Sequence, residues 1–263
     1  GLGKEHYENV KRQKHEYKTA LDENGIHIHN FCIIDPDLVS TDSKKRMEVY
    51  QRLTEFFDLG CYFETETFHL ASYAPPLEYI GNAPYQLGTE DYKIEDGYSI
   101  RVPDGFCWDK VWSVLVESCK HVSQVATQYG KIVLMEPRIG ETISSVDSML
   151  RLIEAVDMPN FKANIDTGHF GAQRENVPLS LVKLKGKFAN IHIADIDPKS
   201  PDHLPVGDGI IDWTEFFRLL KQMDYQGYLG LDLSMSHTLE TDLIRSRDYI
   251  LNAATYAGVQ VEW

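Results

Sequence analysis

Residues 161–169 have the sequence Phe-Lys-Ala-Asn-Ile-Asp-Thr-Gly-His, a short β-prone run that ends at an acidic residue and a turn. A run of this kind predicts a buried strand with Asp166 at its carboxyl end. Three further runs have the same form and also carry a polar residue near their carboxyl ends: Lys-Ile-Val-Leu-Met-Glu (131–136), Phe-Ala-Asn-Ile-His-Ile-Ala-Asp (188–195) and Gly-Tyr-Leu-Gly-Leu-Asp-Leu (227–233).

Helical patterns separate these runs, and two more strands are predicted upstream, at residues 26–34 and 61–68. Strands that alternate with helices indicate a parallel sheet with crossover helices. The sequence therefore predicts an α/β fold, specifically a (β/α)8 TIM barrel in one domain spanning residues 1–263. Six strands are predicted where a closed barrel has eight, and the chain opens in a predicted helix (6–23). We therefore expect the first one or two barrel strands to be missing from this chain.

The composition of the 263 residues is that of an ordinary globular protein, with 43% hydrophobic and 25% charged residues. The formal net charge of −14 argues against a broad nucleic-acid or membrane surface. No apolar run is long enough to span a bilayer. The four cysteines form no CxxC pair, which is typical of reduced thiols, and we expect a cytoplasmic protein.

The polar residues at the four strand ends predict a shared metal site. A charged or imidazole side chain in an apolar strand is costly to bury alone. One Asp or Glu at a strand end usually caps a helix, and one His is usually structural. Four at equivalent strand ends instead favour joint coordination of one divalent cation by Glu136, Asp166, His192 and Asp232.

Three carboxylates and one imidazole form an oxygen-rich ligand set. Such a set favours Mn²⁺, with Mg²⁺, Co²⁺ or Zn²⁺ as alternatives. A metal held this way polarises a substrate carbonyl and stabilises the negative charge that forms when the adjacent carbon loses a proton.

The same segments, together with His-Leu-Pro-Val-Gly-Asp-Gly-Ile-Ile-Asp-Trp at 203–213, resemble the xylose-isomerase-like family of sugar isomerases and epimerases. The resemblance implies a TIM barrel that binds one metal ion through Glu136, Asp166, His192 and Asp232. It further implies that Glu136 and the residue at 232 act as acid and base on opposite faces of a sugar. This sequence has Asp232 where the family usually has Glu, and the shorter side chain puts its catalytic role in question more than its metal role.

Four other polar residues are candidates for substrate binding. His169 and His203 are expected near the metal, although His169 has an equally good structural interpretation. Arg138, two residues after Glu136, could hold a substrate oxygen or pair with a carboxylate. His69 could reach the mouth of the barrel.

Three alternatives remain open at this point. The same proton abstraction gives a lyase or dehydratase if a leaving group lies β to the carbonyl, including cleavage of an oxidised C-glycoside. An apurinic-endonuclease-like zinc phosphodiesterase has a similar ligand set, but the charge of −14 argues against DNA as a partner. An inactive barrel scaffold is the third. We expect a small sugar as substrate and a homo-oligomer, with a hetero-partner as an alternative.

Overall fold

The computed structural model describes residues 4–80, 99–197, 202–234 and 237–262. These residues group into two compact units, which are considered separately. Unit 1 contains residues 1–73, 106–136 and 151–162. Unit 2 contains residues 74–105, 137–150 and 163–263, so the division falls within helix α6 (Val146–Val156) and strand β6 (Phe161–Asp166).

Unit 1 contains three parallel strands in the order β1–β2–β5. These are β1 (Asn30–Ile33), β2 (Thr67–Leu70) and β5 (Ile132–Met135). Its helices are α1 (Lys4–Arg12), α2 (Lys14–Glu23), α3 (Ser43–Tyr50), α4 (Leu53–Tyr62) and α5 (Trp108–Gln128), with a 3₁₀ turn at Pro36–Val39.

Aromatic rings fill the core of unit 1 around β2. The Phe68 ring lies 4.1 Å from that of Phe57 and 6.0 Å from that of Phe31, centroid to centroid. Gly60 of α4 faces the same ring, and a Cβ atom placed on it would lie 2.4 Å from Phe68 Cζ. Helix α4 can approach β2 this closely because residue 60 has no side chain.

In unit 2, β6 pairs in parallel with β7 (Phe188–Ile193), which pairs in parallel with β8 (Leu229–Leu231). The β6–β7 register shifts by one residue, because Ala163 is opposite Phe188 whereas Asn164 is opposite Asn190. The unit also contains the antiparallel pair β3 (Glu78–Ile80) and β4 (Ser99–Arg101) and the helices α7 (Thr167–Ala172), α8 (Val177–Lys183), α9 (Trp213–Gln222) and α10 (Leu239–Tyr256).

Helix α9 begins with an N-cap but without a complete capping box. The Asp212 carboxylate accepts a hydrogen bond from the Glu215 backbone N–H at 3.0 Å, as an N-cap should. The Glu215 side chain does not return to the Asp212 backbone as in a complete capping box. It binds the Arg218 guanidinium through both carboxylate oxygens instead.

All six predicted strands are present, and their parallel pairing is confirmed within each unit. The strand predicted at 61–68 is wrong in its first part, because α4 continues to Tyr62. The first helix is two helices that meet at Gln13. The segment between β2 and α5 contains β3 and β4, and residues 81–98 between these two strands lie outside the described part of the chain. Within the described ranges, no helix is both long and apolar enough to cross a bilayer.

We predict that Gly60→Ala destabilises the protein by about 2 kcal/mol. Alanine favours the helix by about 1 kcal/mol, but overpacking a buried ring costs about 1–3 kcal/mol, and here the overlap exceeds 1 Å. Urea unfolding measures the difference. In a Phe68→Leu background the same substitution should cost little, and equal losses in both backgrounds would contradict this account.

Candidate functional site

Two layers of polar side chains lie next to each other on β6 and β7 in unit 2. Asn164 and Asn190 form one layer, and Asp166 and His192 form the other. The register places Asn164 opposite Asn190 and Asp166 opposite His192. Residues two apart on a strand share a face, so all four side chains are on one side of the pair. Asn190 Nδ2 donates to Asn164 Oδ1 at 2.8 Å, and Asn164 Nδ2 lies 3.1 Å from His192 Nδ1. This amide layer supports the imidazole in the next layer.

Asp166, His192 and Asp232 converge at the carboxyl ends of their strands. His192 Nδ1 lies 3.7 Å from Asp166 Oδ2 and 3.7 Å from Asp232 Oδ2. Asp166 is completely buried, and Asp232 follows β8 directly, with its backbone N–H bonded to Ile193 O at 3.2 Å. One ligand atom from each of the three residues lies within 4.8 Å of the others.

This geometry fits a divalent cation. Donor atoms at about 2.1 Å from an ion are about 3–4 Å apart, close to the separations seen here. Two carboxylates and one imidazole suit the oxygen-preferring and borderline divalent metals. The three residues could therefore close around an ion with small side-chain movements, in which the ion replaces the Asn164 amide at the single lone pair of His192 Nδ1.

A second group in unit 2 surrounds the other oxygen of Asp166. Its Oδ1 accepts from the His169 backbone N–H at 2.9 Å and lies 3.8 Å from His203 Nε2. The His169 and His203 rings meet edge to face at 4.6 Å. One ligand atom each of Asp166, His169 and His203 also lies within 4.8 Å of the others.

Hydrogen bonds determine which ring nitrogens carry protons in this group. His203 Nδ1 lies 3.0 Å from the backbone oxygen of Asp232, which only accepts, so Nδ1 carries the proton. In the neutral ring His203 Nε2 then holds the lone pair. Arg138 Nε donates to His169 Nε2 at 3.2 Å, so the proton of His169 is on Nδ1. Arg138 therefore orients His169.

Glu136 and His69 belong to unit 1. Glu136 directly follows β5 and is buried, and its Oε2 lies 3.9 Å from Nε2 of the buried His69 on β2. A buried carboxylate beside an imidazole is a plausible proton-transfer pair. Participation of these two residues in one site with Asp166 and His192 stays a prediction.

Thr167 connects the ends of β6 and β7. Its Oγ1 donates to Ala194 O at 2.7 Å and accepts from Ala194 N–H at 2.9 Å, and the residue is fully buried. The next residue, Gly168, provides space for His203, because a Cβ atom there would lie 2.5 Å from His203 Cδ2. These two residues explain why the Asp-Thr-Gly-His sequence positions an imidazole beside the strand end.

The structure thus brings together five of the predicted site residues within unit 2 (Asp166, His169, His192, His203 and Asp232) and places Arg138 against His169. Three polar residues of the same region were not predicted: Asn164, Asn190 and Asp195. The two asparagines could have been found from their position two residues before Asp166 and His192.

A family model described as xylose isomerase-like TIM barrel matches residues 3–253. The chain belongs to this family. The TIM barrel predicted from the sequence is confirmed by this match and by solved structures of similar fold. Members of the family include isomerases, epimerases and dehydratases.

Two relatives illustrate this range of activities. An inosose dehydratase of Halalkalibacterium halodurans is 23% identical over 210 residues, which cover 72% of this chain and 69% of the relative. A hydroxypyruvate isomerase of Escherichia coli is 23% identical over 148 residues, which cover 54% of this chain and 56% of the relative. Both are distant, so neither determines the reaction of this chain.

The fold is also seen in a crystal structure of a D-tagatose 3-epimerase-like protein. The TM-score is 0.71, and the match covers 95% of this chain and 84% of that protein. Because the sequence identity is 15%, this likeness shows the family fold and not the substrate.

We predict that Thr167→Val destabilises the protein by about 3 kcal/mol, because two buried backbone groups of Ala194 lose their partner. Thr167→Ser keeps both hydrogen bonds and loses one methyl group, so it should cost about 1 kcal/mol. Urea unfolding of the two variants gives the comparison. A loss in Thr167→Val no larger than that in Thr167→Ser would contradict this account, because valine keeps the methyl group and removes only the hydroxyl.

Proposed function

We propose that this protein is a divalent-metal-dependent enzyme that removes a proton next to the carbonyl of a sugar or keto-sugar and returns it, as an isomerase or epimerase. The observation that carries the proposal is the convergence of Asp166 and Asp232 on His192 Nδ1, at 3.7 Å each. Membership of a family of sugar-converting enzymes supports it.

In this proposal Asp166, His192, Asp232 and Glu136 hold the ion, for which Mn²⁺ is favoured. When bound, the ion would polarise the substrate carbonyl and stabilise the negative charge next to it. Asp166 is suited to a purely structural ligand role, since it is fully buried and also accepts from the His169 backbone.

Glu136 is the proposed base. Its carboxylate is buried directly after β5, and its Oε2 lies 3.9 Å from His69 Nε2, a second group that can carry a proton. Asp232 is proposed to act with Glu136 as the second proton-transfer group. Its side chain is 46% exposed, so it can exchange protons with water.

His169, His203 and Arg138 are proposed to bind substrate. The lone pair on His203 Nε2 can accept from a sugar hydroxyl. Arg138 orients His169, whose ring meets that of His203 edge to face. An unphosphorylated sugar is favoured, because the sequence contains no evident glycine-rich loop of the kind that binds phosphate groups.

A lyase is the second candidate. The inosose dehydratase relative and the shorter Asp232 both favour it. Elimination needs one base and a leaving group, and it does not need a second residue on the opposite face.

We predict that Mn²⁺ at 100 times its Kd raises the melting temperature by about 5–10 °C, which corresponds to about 2.7 kcal/mol of binding free energy. Asp166→Asn keeps the side-chain volume but removes the charge, and it should abolish most of this shift. The matched control is Asp212→Asn at the N-cap of α9, which should retain it. An identical shift in both variants would reject the metal site.

Metal analysis of the purified protein complements that measurement. One manganese-like ion per chain supports sugar chemistry. Three zinc ions per chain would instead support the phosphodiesterase alternative, for which the second cluster of Asp166, His169 and His203 supplies additional ligands.

We predict that Glu136→Gln lowers turnover by at least about 100-fold without changing the circular dichroism spectrum, because glutamine cannot accept the proton. Proton NMR in D₂O with inosose, hydroxypyruvate and D-tagatose measures turnover. Deuterium incorporation without loss of water indicates an isomerase or epimerase, and loss of water indicates a lyase. Glu66→Gln, at an exposed carboxylate paired with His29, is the control. Normal turnover in Glu136→Gln would refute its role.

A further inference from the structure

Asp195 lies three residues after His192 and is 1% exposed. It begins the 195–213 loop, a name used for the described residues 195–197 and 202–213, which include His203 and end at the first residue of α9. No step of the proposed reaction uses its carboxylate. A buried charge is costly without partners, so its surroundings must compensate for it.

Four N–H groups surround the Asp195 carboxylate. Oδ1 accepts from the backbone of Ile196 at 3.0 Å and of Ile211 at 3.1 Å. Oδ2 accepts from the backbone of Gly207 at 2.9 Å and from Trp213 Nε1 at 2.8 Å. The donors come from both ends and the middle of the loop, so one side chain connects segments 18 residues apart.

All four of these donors are neutral, and each carboxylate oxygen accepts two of them. An ionised carboxylate is the side-chain group that offers two acceptor oxygens and no donor. Asparagine has the same shape but would direct an NH₂ group at two N–H donors. Asp195→Asn should therefore break the two hydrogen bonds made by one of the carboxylate oxygens, while the volume of the side chain stays the same.

The backbone of Asp195 connects this network to His203. Asp195 N–H donates to Leu204 O at 2.8 Å, and Leu204 N–H donates to Asp195 O at 2.9 Å. The residue before Leu204 is His203. Its N–H is bonded to Ser234 Oγ at 2.9 Å and its Nδ1 to Asp232 O, so its Nε2 is held 3.8 Å from Asp166 Oδ1.

Two glycines fit the loop to the carboxylate. A Cβ atom on Gly209 would lie 2.3 Å from Asp195 Oδ1 and 2.4 Å from Ile196 O. Gly207 has φ of +99°, and a Cβ atom there would lie 2.5 Å from the Tyr249 ring. The Gly-Asp-Gly sequence therefore lets the backbone fold tightly around Asp195.

We propose that Asp195 is a positioning residue that holds the 195–213 loop so that His203 faces Asp166 at the site. Its contribution to turnover rests on the proposed function, whereas its effect on the loop does not. Asp195 acts through His203 and touches neither substrate nor metal.

The first test measures amide hydrogen exchange in the full chain without ligand. In Asp195→Asn the amides of Gly207 and Ile211 should exchange at least about tenfold faster, because their acceptor has been weakened. Asp208→Asn is the matched control. It lies in the same loop, but its carboxylate pairs with Arg245 in an exposed salt bridge, so exchange should not change. Unchanged protection in Asp195→Asn overturns the proposal.

The second test is a double-mutant cycle. Its substrate is whichever of inosose, hydroxypyruvate and D-tagatose the protein converts. Asp195→Asn and His203→Ala should each raise KM about fivefold, the effect of one lost hydrogen bond, with kcat within about twofold. If Asp195 acts through His203, the KM of the double variant should also be about fivefold above that of the unmodified protein. A KM about 25-fold higher would mean two independent effects and would overturn the proposal.

The two tests separate this proposal from the proposed function. If none of the three compounds is converted and Asp166→Asn keeps the Mn²⁺-induced shift in melting temperature, the proposed function is wrong. Hydrogen exchange still decides the role of Asp195 in that case. If Asp195→Asn does not fold, Trp213→Phe replaces it, because it removes one donor and keeps the carboxylate. That variant should accelerate exchange at Gly207, and an unchanged rate would overturn the proposal.

Discussion

A one-residue shift between β6 and β7 decides which side chains meet at the site. Ala163 pairs with Phe188, and without the shift Asp166 would lie opposite Ile191. The irregularity skips Ala189 and moves His192 beside Asp166. Such bulges re-aim side chains near active sites in many proteins. Here the shift also pairs Asn164 with Asn190, so both polar layers depend on it.

Two buried carboxylates at neighbouring strand ends are stabilised in different ways. Asp195 accepts from four neutral N–H groups, which satisfy both oxygens and fix the loop. Asp166 accepts from the His169 backbone N–H and lies close to the imidazoles of His192 and His203. Imidazoles can change protonation or share a cation, whereas backbone amides cannot. The first carboxylate is therefore suited to holding the loop, and the second to holding a cation together with its imidazole neighbours.

The sequence predicts the strands well because short β-prone runs and their polar ends are local features. Asp166, His192 and Asp232 were found for the same reason, whereas His169 and His203 lie outside the strands. The bulge at Ala163 and Asn164 is a property of two paired strands, so neither strand alone reveals it. Asp195 was missed as a positioning group because an acidic residue after a strand has the same local sequence signature as Asp166. The break at Gln13 and the extension of α4 to Tyr62 were missed because helical periodicity continues through both.

The position of Asp232 bears on whether the proposed reaction is that of an isomerase or that of a lyase. Its backbone oxygen binds His203 and its carboxylate lies near His192, so main chain and side chain serve different neighbours. A longer glutamate could extend further over a substrate, but Asp232 is kept close to the strand end by these contacts. An acid that returns a proton to the opposite face must reach the substrate carbon, whereas a metal ligand needs only to reach the ion. In the proposed enzyme the shorter side chain would keep the ligand role in either reaction, and the stereochemical outcome would then depend on whether the half-exposed carboxylate or water delivers the proton.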